Sequence, residues 1–143
     1  MAIEWSDGVD DVDWQELADL VRAAPLGDKS PEFLRTVFSN SMYRVFVRDD
    51  GKLVGAGRAL ADGVDCAYLG DIVILPSHQG QGLGGQIITR LLDCVRGYRK
   101  ILLYAVPGKE PFYRRYGFER MTTAMAIFQD RDAAFERGYL SED

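Results

Sequence analysis

The sequence predicts a mixed α/β domain, and three observations carry that prediction. Two helix-patterned segments come first, over 13–23 and from Ser30 onward. Three strand-like runs joined by Asp-Gly turns follow, the signature of an antiparallel meander. A glycine cluster, a long amphipathic helix and an apolar strand then form a β-α-β unit, whose crossover between parallel strands should be right-handed. The order reads αα-βββ-α-β-α-β.

Residues 2–5 suit a short strand. Asp13-x-x-Glu16 is a capping-box-like start, and Trp14, Leu17, Ala18 and Val21 recur at helical spacing until Pro25 and Gly27 stop the helix. Ser30 as N-cap and Pro31 at the first helical position open a second helix, with Phe33, Leu34, Val37 and Phe38 on one face. The period then changes to two. Runs 42–47 and 53–60 flank the turn Asp50-Gly51, and Asp62-Gly63 turns the chain into a third strand over 65–75. Gly55 and Gly57 inside the second run imply a bulge or a close backbone approach. Leu83, Ile87, Ile88, Leu91, Leu92 and Val95 define the long helix, closed by Gly97. Residues 101–105 read as a buried strand, and 110–116 as a short helix begun by Pro111 and stopped at Gly117. Residues 121–128 supply the final strands, and the acidic tail, 131–143, carries no clear signal of order.

A length of 143 residues is close to the ~150 of one domain, so a single domain over 1–143 is expected. The 47% hydrophobic content supports a sizeable core. The longest apolar run is six residues, 101–106, short of the ~18–20 needed to cross a bilayer, so no membrane partner is expected. The opening residues show neither a basic n-region nor an apolar h-region. Cys66 and Cys94 form no disulfide framework or zinc site. A cytoplasmic protein with reduced thiols and no metal is the expectation.

Charge is informative by block. Residues 1–28 carry one basic and eight acidic groups, net −7, and 95–120 carry seven basic and two acidic, net +5, within a total of −5. The total argues against a nucleic-acid partner, which calls for a basic surplus. A basic block in an acidic chain suits a local anionic ligand or merely solvates helix faces.

The stretch Gln79-Gly80-Gln81-Gly82-Leu83-Gly84-Gly85 lies between a strand and the long helix. A helix N-terminus offers unpaired amides and partial positive charge, and glycines let an anion approach them. The plain alternative is a tight turn. A nucleoside-triphosphatase loop needs Gly-Lys-Ser/Thr, absent here. A dinucleotide fingerprint fits formally at Gly80-x-Gly82-x-x-Gly85, but the next strand ends Tyr104-Ala105-Val106 without the required acid.

The third form is [Arg/Gln]-x-x-Gly-x-[Gly/Ala], and Gln79 to Gly84 resembles the pyrophosphate loop of the GNAT superfamily of N-acetyltransferases. Pro111-Phe112-Tyr113-Arg114-Arg115-Tyr116-Gly117-Phe118 resembles that superfamily's Phe-Tyr-x-x-x-Gly-Phe segment. The apolar strand 69–76 ending in Pro76 is the third shared feature, and the αα opening resembles small bacterial and plastid-type members. The resemblance covers roughly 40–128. It implies a GNAT-like mixed sheet with splayed parallel strands, and acetyl-CoA as acyl donor.

By the same resemblance, pantetheine would pair with backbone groups of Ile72, Val73 and Ile74, and Val73 would supply the amide that meets the oxyanion. Gln79, Gly80, Gln81, Gly82, Leu83, Gly84 and Gly85 would hold the pyrophosphate. Gln79 stands where many members have Arg, a loss that Arg114 or Arg115 could offset. Phe112 and Tyr113 would contact the cofactor, with Tyr113 near the thioester sulfur and its phenol as general acid toward the leaving thiolate. The base is open: Asp71 through water, an edge salt bridge with no such role, or water alone. His78 reads as a solvated loop residue. The expected activity is acetyl transfer to a small-molecule or peptide primary amine in a ternary complex, a homodimer being compatible with it. A non-catalytic acyl-CoA-binding domain and a protein-lysine acetyltransferase are the alternatives. The acidic start of the chain favours a small cationic acceptor, aromatic rather than an anionic amino sugar.

Overall fold

The computed structural model describes residues 2–143. Packing divides the chain into two compact units, the first up to Leu103 and the second Tyr104–Asp143, each described by itself.

The first unit holds one sheet of β1 (Ile3–Ser6), β2 (Tyr43–Asp49), β3 (Lys52–Ala61), β4 (Cys66–Ile74) and β5 (Lys100–Leu102), in that spatial order. β1 to β4 pair antiparallel, and β4 pairs β5 in parallel across α3 (Leu83–Cys94). Asp50 and Gly51, with φ of 50° and 83°, form the tight β2–β3 turn, whose positive φ values match the strand twist.

α1 (Trp14–Ala23) starts as expected: the Asp13 carboxylate accepts from the Gln15 and Glu16 amides at 3.0 and 3.1 Å. Glu16 does not complete a capping box. Its Oε2 accepts from the Leu53 amide at 3.0 Å and fixes the helix to the start of β3. α2 (Pro31–Ser39) is capped by the Ser30 hydroxyl, which accepts from the Phe33 amide. Leu34 and Phe38 are buried, whereas Phe33 is 50% exposed. It sits about one helical step from the Leu34–Phe38 stripe, and the Lys29 ammonium lies 5.8 Å from its ring. The buried faces of α1 and α2 meet Phe46, Leu53, Ala56 and Val73 in one core.

α3 covers the opposite sheet face. Side chains alternate along β3, so Gly57 points away from Ala56. A Cβ on Gly57 would stand 2.7 Å from Ile87 Cγ2 and 3.2 Å from Leu91 Cδ1. The glycine lets the helix seat directly on the strand.

The second unit contains α4 (Glu110–Arg114) and α5 (Arg131–Glu136). Tyr104, Phe128 and Tyr139 gather at ring-centroid distances of 5.3–6.1 Å. Two expectations are corrected. β5 spans three residues rather than five. No strand occurs over 121–128 among the described residues, and Met125 and Ile127 are fully exposed. An apolar run alone does not make a strand; a neighbour must pair its backbone and cover one face. The tail, by contrast, begins with α5, whose N-cap Asp130 accepts from the Ala133 amide.

Candidate functional site

β4 changes character midway. Its pairing with β3 runs Arg58↔Gly70 and then Ala56↔Val73, so Asp71 and Ile72 together oppose the single residue Gly57. This is a β-bulge, and Asp71 takes a left-handed φ of 51° in it. The extra residue exchanges the strand's two hydrogen-bonding edges. Before the bulge, Lys100 donates to the Asp65 carbonyl, so the odd residues 65 and 67 face β5. After it, the Leu75 amide donates to the Val54 carbonyl at 2.8 Å. By the two-residue period of an antiparallel ladder, Val73 therefore bonds β3. Ile72 and Ile74 turn their amides and carbonyls to the other edge. The ladder with β5 has already ended, its last pair being Tyr68↔Leu102.

Two sequence expectations change as a result. Val73 is buried at 2% exposure with its amide directed to β3, so the open amides are those of Ile72 and Ile74. Of the readings left open for Asp71, the structure shows the salt bridge, formed at the bulge rather than at a hairpin edge. Lys29 donates to Oδ1 and Arg58 Nε to Oδ2, both at 2.7 Å, and the side chain is 8% exposed. Burial opposes its ionisation, but the hydrogen bonds from Lys29 and Arg58 outweigh it and hold the carboxyl below its ordinary value. A carboxylate held in that way is a weak proton acceptor.

The loop follows directly. Residues Pro76–His78 form a 3₁₀ turn. His78 is not solvated: its Nε2 is 2.8 Å from Asp49 Oδ2 and its Nδ1 2.8 Å from the Ser77 hydroxyl. The Gln79 side-chain amide donates to the Ile74 carbonyl at 3.1 Å, so it engages the strand's open edge. Gly82 is the N-cap of α3 with φ 82° and no side-chain cap bond. The Gln86 amide makes the first helical bond, to Gly82. That leaves the Leu83, Gly84 and Gly85 amides as the helix's orphan donors, where the dipole favours an anion. A Cβ at Gly80 or Gly82 would meet nothing within 4 Å. Left-handed backbone, not crowding, calls for these glycines. The open ground beside the amides fits a diphosphate.

In the second unit, Phe112 and Tyr113 sit on α4. Tyr113 packs edge-on against Phe112 and Phe118, at 5.1 and 6.2 Å. Burial pushes its phenol up, so it is protonated at neutral pH and equipped to donate. Arg114 pairs with Glu119 at 3.2 Å, and Arg115 lies over Phe112; each has a partner inside this unit.

The structure thus brings residues 71–74 and 79–85 together at one end of β4, and places Phe112 and Tyr113 on α4. Sequence reasoning missed Lys29 and Arg58. An arginine within the apolar run 53–60 was the available signal for a buried acid nearby; Lys29 gave none.

The acetyltransferase (GNAT) domain family model matches residues 41–120, more than half of the chain. Serotonin N-acetyltransferase 2, chloroplastic, of Oryza sativa subsp. japonica is 41% identical over 86 residues, which are 57% of this chain and 43% of that one. GCN5-related N-acetyltransferase 3, chloroplastic, of Arabidopsis thaliana is 30% identical over 105 residues, 71% and 44% of the two chains. The match spans less than half the length of either relative. Among solved structures, a GNAT family acetyltransferase from Streptococcus pneumoniae superposes with a TM-score of 0.77 and 25% identity, covering 91% of this chain and 99% of that one. N-acetylglutamate synthase from Neisseria gonorrhoeae, solved with coenzyme A and N-acetyl-glutamate, gives 0.64 and 20%, covering 80% and 28%. A family match over that length, on a strand that opens where its glycine loop begins, places this chain in the GNAT family of N-acetyltransferases.

Proposed function

We propose that this protein moves the acetyl group of acetyl-CoA to a primary amine by direct attack in a ternary complex. One observation carries the reading: the bulge opens the Ile72 and Ile74 backbone to the edge that leads into the uncapped N-terminus of α3. A pantetheine arm needs extended backbone to pair with, and a diphosphate needs convergent amides. The two lie in sequence here, one after the other.

Each group then has a task. The Ile72 and Ile74 backbone orients the arm, and the amides of 83–85 with the glycine loop hold the diphosphate. The Ile72 amide, next to the bulge, faces the charge that develops on the acetyl oxygen. The amine nitrogen bonds to the acetyl carbon as the carbon–sulfur bond breaks. Tyr113 gives its proton to the departing thiolate, and water takes the proton shed by the amine.

For the acceptor, the net charge of −7 over residues 1–28 supports a small cationic amine. The name of the rice relative supports an arylalkylamine among these. The test is thiol release from acetyl-CoA against a panel of cationic and anionic amines, with calorimetry of acetyl-CoA alone. Amine-stimulated release is expected. Tight acetyl-CoA binding with no amine-dependent release would leave a non-catalytic binder.

A further inference from the structure

We infer that Asp71 is a positioning residue: it fixes the β4 bulge, and so the direction of the Ile72 and Ile74 amides, by anchoring the bulge to both ends of α2. The inference rests on the transferase reading above. Its geometry is independent of that reading.

A left-handed φ is disfavoured for residues with a Cβ, though least for Asn and Asp, and glycine is the usual residue where a bulge needs it. Asp71 adopts it at 51°. Its carboxylate is where the bulge is held. Lys29 takes one oxygen and Arg58 the other. Lys29 directly precedes Ser30, the N-cap of α2. Arg58 Nη1 donates onward at 3.2 Å to the hydroxyl of Ser41, just past the C-cap Asn40, and that hydroxyl donates to the Val37 carbonyl of α2 at 2.7 Å. Ser41 is buried. The chain Lys29–Asp71–Arg58–Ser41 therefore spans α2 from its start to its end and closes on the bulge.

The groups facing the carboxylate are Lys29 from the α1–α2 connection and Arg58 from β3, with Ser41 behind Arg58. Both carboxylate oxygens are engaged by cations, which leaves the side chain serving the backbone rather than a proton transfer. The residue two places before it, Leu69, is core, and the residue two places after it is Val73, also core. Only at the bulge does the strand carry a charge inward.

Three variants of the full chain separate this role from that of a base. Asp71→Ala and Asp71→Gly both lack the carboxylate and differ in how readily they adopt the left-handed region. Asp71→Asn keeps an accepting oxygen and tolerates that region. The expected order of kcat, normalised to folded protein by circular dichroism, is wild type, Asn, Gly, Ala. Ala should fall roughly a hundredfold below wild type, the scale of a ~1 Å misplacement, and Gly should recover about tenfold of that. Acetyl-CoA affinity by calorimetry should follow the same order, and the pH midpoints of kcat/KM should not move. If Ala fails to fold, the Gly and Asn comparison is joined by Lys29→Met, which frees one oxygen and should lower kcat with unmoved midpoints.

Equal losses in Gly, Ala and Asn with the acidic limb of the pH profile removed would make Asp71 the base and overturn the inference. Wild-type kcat and affinity in folded Asp71→Ala would overturn it as well. A wild-type protein without amine-dependent release would sink the transferase reading instead, and the calorimetric order of Gly over Ala still tests the positioning.

Discussion

Placing a carboxylate at Gly82 should separate the stability of the protein from its affinity for acetyl-CoA. Gly82 has a φ of 82°, and a Cβ there meets nothing within 4 Å. The cost of Gly82→Ala is therefore conformational, about 1–2 kcal/mol. Gly82→Glu carries the same cost, offset by about 0.3–1 kcal/mol because an anion is favoured at a helix N-terminus. The Glu variant should melt at or slightly above the Ala variant. Binding should rank the other way. A carboxylate about 5 Å from a doubly charged diphosphate is repelled by roughly 1.7 kcal/mol even at the dielectric of water, near 15-fold in Kd, and by several times that energy at the effective value of about 20 near a protein surface. Calorimetry of both variants with acetyl-CoA, beside thermal melts, reads the two rankings. The gap in affinity should narrow as salt shortens the screening length from about 10 Å at 0.1 M to 3 Å at 1 M. Acetyl-CoA affinities equal within about threefold at low salt, where the expected gap is at least ~15-fold, would refute the cradle at Gly82.

Three further outcomes are expected. Tyr113→Phe should lower kcat by about 10²–10⁴ and leave acetyl-CoA affinity unchanged, with a smaller loss for acyl donors whose thiol leaves more readily; an unchanged kcat where chemistry limits turnover would reduce Tyr113 to packing. The folded Asp71 carboxyl titrates below its ordinary value of 3.8, so its contribution to stability is present above that value and is lost as pH falls through the lower, folded one. Wild-type melting temperature should accordingly fall more steeply than that of Asp71→Asn below about pH 4. Gly57→Val places atoms where Ile87 and Leu91 already stand and should cost about 1–3 kcal/mol by overpacking, read from urea midpoints; no change would mean that α3 does not seat on β3 at that point.

What the sequence made legible was local. Asp13 and Ser30 cap the helices they were expected to cap, Asp50-Gly51 turns the hairpin, and the glycine loop meets a helix N-terminus, because each depends on neighbours within a few positions. What escaped depends on distant partners. Glu16 would have closed a capping box had the Leu53 amide, 37 positions away, not claimed its carboxylate. Asp71 finds Lys29 at a separation of 42 residues. The choice of Ile72 and Ile74 over Val73 turned on a single extra residue opposite Gly57, and register of that kind leaves no mark in a pattern of apolar positions. Residues 121–128 are mostly apolar, as a strand could be, yet an apolar run does not supply a partner.

The open edge of β4 carries a hazard as well as a use. Unpaired amides and carbonyls along an extended strand form a template that any other chain can extend by adding a strand of its own, the first step of edge-to-edge aggregation. This strand blunts its edge by local means. The bulge increases its twist, the pairing-competent stretch after Asp71 is short, and the Gln79 side chain occupies the Ile74 carbonyl. Gln79 thus satisfies, with a side chain rather than a strand, a backbone acceptor that would otherwise stand open on this edge.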